Sequence, residues 1–161
     1  MIVDIRNILY CTDLSQNAAY AFRYAAQLAS LSGSEIHILH VVEELSSDAK
    51  VTIQAYVMDD ALRHKALEER VNQAEAYLSE RLKKFWAEQD ESDRGISKQI
   101  KSIDVCEAYP AEQILKTSVE RDCDLIVIGA HEKGLAHNFL GGVAKSVLRR
   151  SRIPTLVVPI P

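Results

Sequence analysis

A glycine-bearing segment between a predicted strand and a predicted helix carries the clearest chemical signal in the chain. It runs from Gly129 to Gly134 and closes with Gly141 and Gly142. Glycines in this position let backbone N–H groups approach a phosphate, and the amino-terminal dipole of the following helix favours the negative charge. The spacing therefore predicts an anion-binding loop of the kind that holds a nucleotide.

Glu132 lies inside this loop and opposes that chemistry. At intermediate effective dielectric, a carboxylate a few ångströms from a triphosphate costs roughly 1–4 kcal/mol per unit charge. Lys133 beside it offsets part of this cost, and a bound Mg²⁺ would recruit the carboxylate as a ligand. The loop is therefore expected either to be silenced as an anion site or to bind its ligand weakly.

Other reactive side chains match no catalytic or metal-binding pattern. His131 and His137 flank Glu132, but their spacing fits no zinc pattern and the chain has no C-x-x-C pair. Lys145 and Ser146 follow the glycines without the spacing of a P-loop, and no G-x-S-x-G elbow occurs. We expect no catalytic residue and no protein-held metal, and we interpret the loop histidines as solvated.

Strands and helices alternate around these residues. Helical periodicity predicts a helix from an N-cap at Ser15 to a stop at Gly33, a long helix over about 59–89, and helices that begin at Pro110 and near Val143. Near-continuous apolar strands predict a parallel sheet with helices on both faces. Ligands of such sheets bind beyond the carboxyl ends of the strands. The predicted strands are 7–11, 36–42, 100–107, 125–128 and 155–158, and the three ends of interest are 10–14, 41–43 and 128–132.

Two segments are predicted to lie outside these elements. Residues 43 to about 57 have no clean period, which predicts a long mobile loop, and residues 88–95 are predicted to form a charged surface link. The chain has 161 residues and no internal repeat, which suits a single domain over 1–161.

Composition excludes several classes of protein. The formal net charge is −4, which argues against nucleic-acid binding, and no apolar run approaches the ~20 residues that span a membrane. The arginines at 149, 150 and 152 are interpreted as complements to a helix carboxyl end. Cys11, Cys106 and Cys123 are odd in number and widely spaced, which fits a reducing cytoplasm, and the amino terminus lacks a signal-peptide pattern.

The order and the amino-acid sequences of these segments resemble those of the universal stress protein family over nearly the whole chain. Residues 8–15, ILYCTDLS, resemble the family's opening ILVPTDFS, and residues 124–131, DLIVIGAH, resemble ADLIVMGSHG. Further matches are HVV at 40–42, PAEQIL at 110–115, LGGVA at 140–144 and PTLVVP at 154–159.

This resemblance implies an α/β fold with an open five-stranded parallel sheet in the order 3-2-1-4-5. Two helices would cover each face, in the Rossmann-like, adenine nucleotide alpha hydrolase-like manner. It also implies a homodimer that pairs through the last strand, Pro154 to Pro161. The alternative is an edge strand that its prolines protect, but the apolar stretch 156–158 would pair readily, so the dimer is favoured.

Some family members bind ATP, through a loop of the form G-x2-G-x9-G-(S/T). This chain keeps Gly129 and Gly141, but it has glutamate at 132, glycine at 142 in place of a hydroxyl, and a loop one residue shorter than the family form. ATP or another adenine nucleotide, with Mg²⁺, is therefore an expected but weakened ligand. The binding residues that the resemblance implies are Cys11, Asp13, Val41, Ile128, Gly129, Glu132, Gly141, Gly142 and Val143.

Three of these residues have a structural alternative. The family holds the ribose and base near Asp13, yet an acidic residue also commonly precedes a helix. Val41 would offer its backbone to adenine, but it equally suits a buried strand. Cys11 replaces a family proline and is interpreted as a small buried hydrophobe rather than a redox thiol.

Three functions follow from these expectations. The first is a stress-response binding or signalling module, not an enzyme, with a degenerate adenine-nucleotide site. The second is a dimeric interaction protein that binds no nucleotide and recruits a protein partner through its dimer surface and the segment 43–57. The third is a slow ATP-hydrolysing switch, which lacks an evident general base.

Overall fold

The computed structural model of the protein describes residues 2–131 and 140–161. Five strands alternate with helices along these residues, as the sequence predicts. The elements are β1 Asn7–Thr12, α1 Gln16–Ser32, β2 Glu35–Glu43, α2 Ser47–Tyr56, α3 Asp60–Ala87, α4 Glu91–Arg94, a 3-10 turn Gly95–Gln99, β3 Ile100–Ala108, α5 Pro110–Glu120, β4 Leu125–Gly129, α6 Gly142–Arg150 and β5 Thr155–Val158.

The strands form one parallel sheet in the order β3-β2-β1-β4-β5, which confirms the predicted fold class. β1 is central, with Tyr10 opposite Ile38 of β2 and Val127 of β4. The order changes direction between β1 and β4, and this is where an open α/β sheet leaves a crevice at its carboxyl edge.

Helices cover both faces of the sheet, and each face has its own apolar core. α1 and α3 pack on one face, where Phe22 and Leu82 meet sheet residues such as Ile38. α5 and α6 pack on the other, where Ile114 and Val147 meet the opposite set of strand side chains. The prediction of two helices on each face is therefore confirmed.

The predicted helix boundaries of α1 and α5 are confirmed. The Ser15 hydroxyl accepts the N–H of Ala18 over 3.1 Å and caps α1. Gly33 ends that helix with φ at 72°, in the left-handed region that glycine adopts without strain. Pro110 occupies the first turn of α5, where its missing N–H costs no helical hydrogen bond.

The prediction of a long loop over residues 43–57 is wrong. The segment 43–57 contains a helix, α2, and the Ser46 hydroxyl caps it by accepting the Ala49 N–H over 3.2 Å. α2 has no buried residue, so it needs no clean apolar period, and periodicity alone could not reveal it. The predicted charged link at 88–95 does lie at the surface, but α4 and the start of the 3-10 turn form part of it.

Within the part of the chain that the structure describes, no helix is long and apolar enough to cross a membrane.

Candidate functional site

A cleft of about 380 Å³ opens at the carboxyl edge of the sheet, beside the switch between β1 and β4. The ends of β1, β2 and β4, the first turns of α5 and α6, and part of α1 form its walls. Its lining residues are Cys11, Thr12, Asp13, Ala18, Leu39, His40, Val41, Glu43, Pro110, Ile114, Ile128, Gly129, His131, Gly141, Val143 and Ala144.

Seven of the nine residues implied by the family resemblance line this cleft. Gly142 does not: it is exposed and begins α6 just behind the lining residue Gly141. Glu132 lies outside the described residues, as do Lys133 and His137. The role of all nine residues in binding stays a prediction. The seven that line the cleft are Cys11, Asp13, Val41, Ile128, Gly129, Gly141 and Val143.

The turn after β1 gives Asp13 a structural contact as well as a place in the cleft. Its Oδ1 accepts the backbone N–H of Ser15 over 2.9 Å, and the Thr12 hydroxyl accepts the N–H of Leu14 over 3.0 Å. Leu14 has φ at 65°, and the guanidinium of Arg81 donates to the carbonyl oxygens of Leu14 and Ser15. Asp13 therefore does hold the start of α1, while its side chain stays exposed at the cleft.

His40 is a cleft residue that the sequence analysis did not select. Its side chain is buried, and its Nδ1 lies 2.7 Å from the carbonyl oxygen of Thr12. A carbonyl only accepts, so this contact places the imidazole proton on Nδ1 and leaves Nε2 as an acceptor in neutral histidine. Val41, next along β2, is half-buried and lines the same wall.

His37 lies three residues before His40 and makes a separate set of contacts. Its Nδ1 lies 2.9 Å from the Ser102 hydroxyl and its Nε2 lies 3.3 Å from Oδ1 of Asn7. Because strand side chains alternate, two histidines three residues apart point to opposite faces of the sheet. His37 is therefore no part of the cleft.

Cys11 has the character of a small buried hydrophobe. It is 5% exposed, and burial raises the pKa of its thiol well above the ordinary value. A thiol with a raised pKa holds little thiolate near neutral pH, which is the reactive form. This supports the interpretation of Cys11 as packing on the floor of the cleft.

The amino end of α6 lies at the cleft, where Gly141, Val143 and Ala144 are lining residues. The N–H of Gly141 donates to the Ala130 carbonyl over 2.8 Å, which brings the start of α6 beside the end of β4. The N-cap residue of α6 is Gly141, and it makes no side-chain cap hydrogen bond. The dipole of α6 makes this end of the helix favourable for negative charge.

The ionisable groups of the described cleft lining include two carboxylates and two imidazoles. The carboxylates belong to Asp13 and Glu43. Arg70 of α3 fixes the rim at Glu43, where its Nη2 donates to the Glu43 carbonyl oxygen over 3.0 Å and its Nη1 donates to the Glu107 carboxylate over 3.2 Å. No lysine or arginine is among the described lining residues.

Across residues 2–131 and 140–161, no cluster of three or more histidine, cysteine or acidic side chains is placed to hold a metal ion.

Comparison with known proteins places these features in a family. The model of the universal stress protein family matches residues 4–159. Universal stress protein MJ0577 of Methanocaldococcus jannaschii is 30% identical over 159 residues, which cover 98% of this chain and 97% of that protein. The solved structure of MJ0577 superposes with a TM-score of 0.67 at 25% identity and covers 99% of each chain.

More distant structures share the fold. UspA of Lactobacillus plantarum has a TM-score of 0.63 at 18% identity, covering 98% of this chain and 99% of that one. A universal stress protein solved in complex with cAMP has a TM-score of 0.53 at 19% identity and covers 98% of each chain.

Proposed function

Because the chain belongs to the universal stress protein family, we propose that it is a stress-response binding and signalling module with a weakened adenine-nucleotide site, not an enzyme. The observation that carries this proposal is the cleft itself, where the ends of three parallel strands and the amino end of α6 converge. Open α/β sheets bind their ligands at this place.

The apolar part of the cleft suits an adenine ring. Leu39, Val41, Ile114 and Ile128 line it, and together they offer aliphatic surface on the face of the sheet that α5 and α6 cover. Asp13, exposed beside them, is an acceptor for ribose hydroxyls. A base and a sugar thus have matching chemistry without any contribution from the loop.

The phosphate groups belong at the amino end of α6. Its first turn begins at Gly142 without a side-chain cap, and Gly141 and Ala144 line the cleft. Helix amino ends bind phosphate through N–H groups and the dipole. The related protein solved with cAMP makes an adenine nucleotide a reasonable ligand class for this chain.

Two sequence features weaken this site for a triphosphate. The loop carries Glu132, and Gly142 has no hydroxyl that could donate a hydrogen bond to a phosphate. A missing neutral hydrogen bond costs roughly 0.5–1.5 kcal/mol and a nearby carboxylate about 1–4 kcal/mol. Mg²⁺ bound to the phosphates would reduce the repulsion.

Isothermal titration calorimetry tests the proposal. Protein freed of retained nucleotide is titrated with Mg-ATP and separately with cAMP. We expect saturable one-to-one binding with a Kd above about 1 µM, which is the Kd that corresponds to a binding free energy of about −8.2 kcal/mol. The absence of saturable heat for both ligands contradicts the proposal, and phosphate release above a no-enzyme control would contradict the non-enzymatic assignment.

We further propose a homodimer that pairs through the last strand, Pro154 to Pro161. β5 is the edge strand of the sheet, and its residues Leu156 and Val157 are half-buried in the single chain. A second strand would complete this edge. Sedimentation velocity is expected to give a dimer for the full chain and a monomer after removal of residues 159–161; a monomeric full chain contradicts this part.

A specific surface also favours the second candidate, an interaction protein that recruits a protein partner without nucleotide. α2 has no buried residue, and four large apolar side chains around the α2–α3 junction are more than half exposed. They are Val51, Tyr56, Met58 and Leu62, with exposures of 63%, 85%, 89% and 56%. This candidate function gains support if calorimetry detects no nucleotide binding.

A further inference from the structure

Asn17, in the first turn of α1, joins that helix to the end of β4. Its side chain is only 4% exposed, and its Nδ2 donates to the carbonyl oxygen of His131 over 3.1 Å. His131 and Gly129 both line the cleft, as does Ala18 beside Asn17. One buried amide therefore connects two walls of the cleft that are 114 residues apart in sequence.

The same amide occupies the space that a side chain at position 129 would need. A Cβ built on Gly129 would lie 2.7 Å from Nδ2 of Asn17 and 3.3 Å from its Cγ. The next nearest heavy atom is the backbone nitrogen of Ala18, at 3.7 Å, which is an ordinary contact distance. Asn17 is thus the one close obstacle among the described neighbours.

Backbone conformation does not require glycine at this position. Among the described glycines only Gly33 has a positive φ. Gly129 has a conformation that any residue adopts, so the requirement for glycine is steric and comes from Asn17. The reason differs from the one that the sequence suggested, which was close approach of a phosphate to the backbone.

Fold stability alone does not account for an amide at position 17. Among the described residues the Oδ1 of Asn17 has no hydrogen-bond partner, although it is buried. A buried acceptor without a partner is unfavourable, and an apolar side chain of the same shape avoids that cost. The useful atom of Asn17 is therefore Nδ2, which holds the His131 carbonyl.

We propose that Asn17 and Gly129 form a matched positioning pair for the cleft. The amide of Asn17 holds the chain at His131, and the missing side chain at Gly129 makes room for that amide. Asn17 acts through His131 and does not itself touch a ligand. The effect on binding rests on the proposed nucleotide function, whereas the packing of the pair does not depend on any ligand.

A double-mutant cycle tests the packing. Urea unfolding is measured for the parent protein, Asn17→Ala, Gly129→Ala and the double variant. We expect Gly129→Ala to shift the unfolding midpoint strongly downward in the parent, and to have little effect once Asn17→Ala has removed the obstacle. Equal shifts in both backgrounds overturn the proposal.

Asn17→Leu tests the positioning role, because leucine has the shape of asparagine but no donor. We expect its affinity for Mg-ATP and cAMP to fall about 2- to 12-fold, the range for one neutral hydrogen bond, without a lower unfolding midpoint. Ser34→Ala is the matched control: Ser34 is buried at the far end of the sheet, where its hydroxyl donates to the Ile5 carbonyl over 2.7 Å.

The control is expected to lose stability and keep its affinity. Unchanged affinity in Asn17→Leu, or a loss of affinity in both variants that follows their loss of stability, overturns the positioning role. If the parent protein binds neither probe, the proposed function fails, and the double-mutant cycle still decides whether Asn17 and Gly129 are coupled.

Discussion

The Nδ1 of His40 lies 2.7 Å from the carbonyl oxygen of Thr12, and this bond ties the ends of β1 and β2 together at the cleft. Both residues are buried. The contact fixes the tautomer of His40, so that its other ring nitrogen is an acceptor in the neutral form.

This relationship predicts different results for two substitutions of His40. An asparagine side chain keeps a donor in nearly the position of Nδ1, whereas a leucine side chain would leave the Thr12 carbonyl without it. We therefore expect His40→Leu to lower the free energy of unfolding by about 1–3 kcal/mol and His40→Asn to lower it less. Urea denaturation measures both values, and equal losses would show that the hydrogen bond contributes nothing.

His37 predicts an acid-sensitive component of stability. Its side chain is buried, and this burial, followed by the positive charge of Arg121, lowers the pKa of His37 below its usual 6.5, although Glu35 and Asp104 oppose the shift. The unfolded chain then binds the proton more readily than the folded chain does. Stability is fully present above pH 6.5 and falls as the pH drops toward the folded pKa.

Urea unfolding at about pH 7.5, 6.5 and 5.5 measures this component across the window in which the unfolded histidine titrates. His37→Asn, which cannot titrate, is the control, and we expect its stability to fall less over the two more acidic points than that of the parent. The two proteins would lose stability in parallel if His37 had its ordinary pKa in the folded state.

Glu43 predicts charge selectivity at the rim of the cleft. Glu43 is an exposed residue of the cleft lining, and Arg70 contacts its carbonyl oxygen rather than its carboxylate. Replacement by glutamine removes a negative charge with little change in shape. We expect Glu43→Gln to increase the affinity for Mg-free ATP severalfold, on the order of 1 kcal/mol or less, and to leave adenosine binding unchanged.

Calorimetry at two salt concentrations checks this prediction, because the difference between the parent and Glu43→Gln should shrink at high salt. An equal gain for adenosine would indicate a change in packing instead of charge.

The departures from the family loop predict that the site can be restored. Glu132→Gly removes the carboxylate and Gly142→Ser supplies a hydroxyl at the start of α6. We expect the double variant to bind ATP about 10-fold more tightly than the parent or better, which combines a recovered hydrogen bond with lower repulsion. Calorimetry with ATP and adenosine measures it.

Two other results of that titration would change the interpretation of the site. A restored variant that binds ATP beside a parent that does not would favour the interaction protein as the natural function. Unchanged affinity would show that neither residue governs the site.

The fold followed from local patterns because those patterns have local causes. Ser15 and Gly33 mark α1 through capping chemistry that a few neighbouring residues determine. The apolar strands report burial on both faces directly. α2 was not predicted, although its cap at Ser46 is local, because none of its residues is fully buried and the helix therefore needs no apolar period.

The contacts in the cleft were harder to predict from the sequence because they join residues that are far apart in the chain. Asn17 is an ordinary first-turn helix residue until its bond to His131 is seen. His40 is one more residue of a buried strand until its contact with Thr12 is seen. The signal that could have identified His40 is a polar residue within an apolar strand, because such a group needs a partner when it is buried.

Hydrogen exchange of the nucleotide-freed protein, with and without saturating Mg-ATP, tests the central claim most directly. We predict that Mg-ATP slows exchange of the backbone N–H groups at residues 11–15, 40–43 and 128–131 and in the first turn of α6, while β3 and α4 keep their rates. No slowing at these strand ends, or slowing confined to another surface such as the α2–α3 junction, would contradict an adenine-nucleotide site in this cleft.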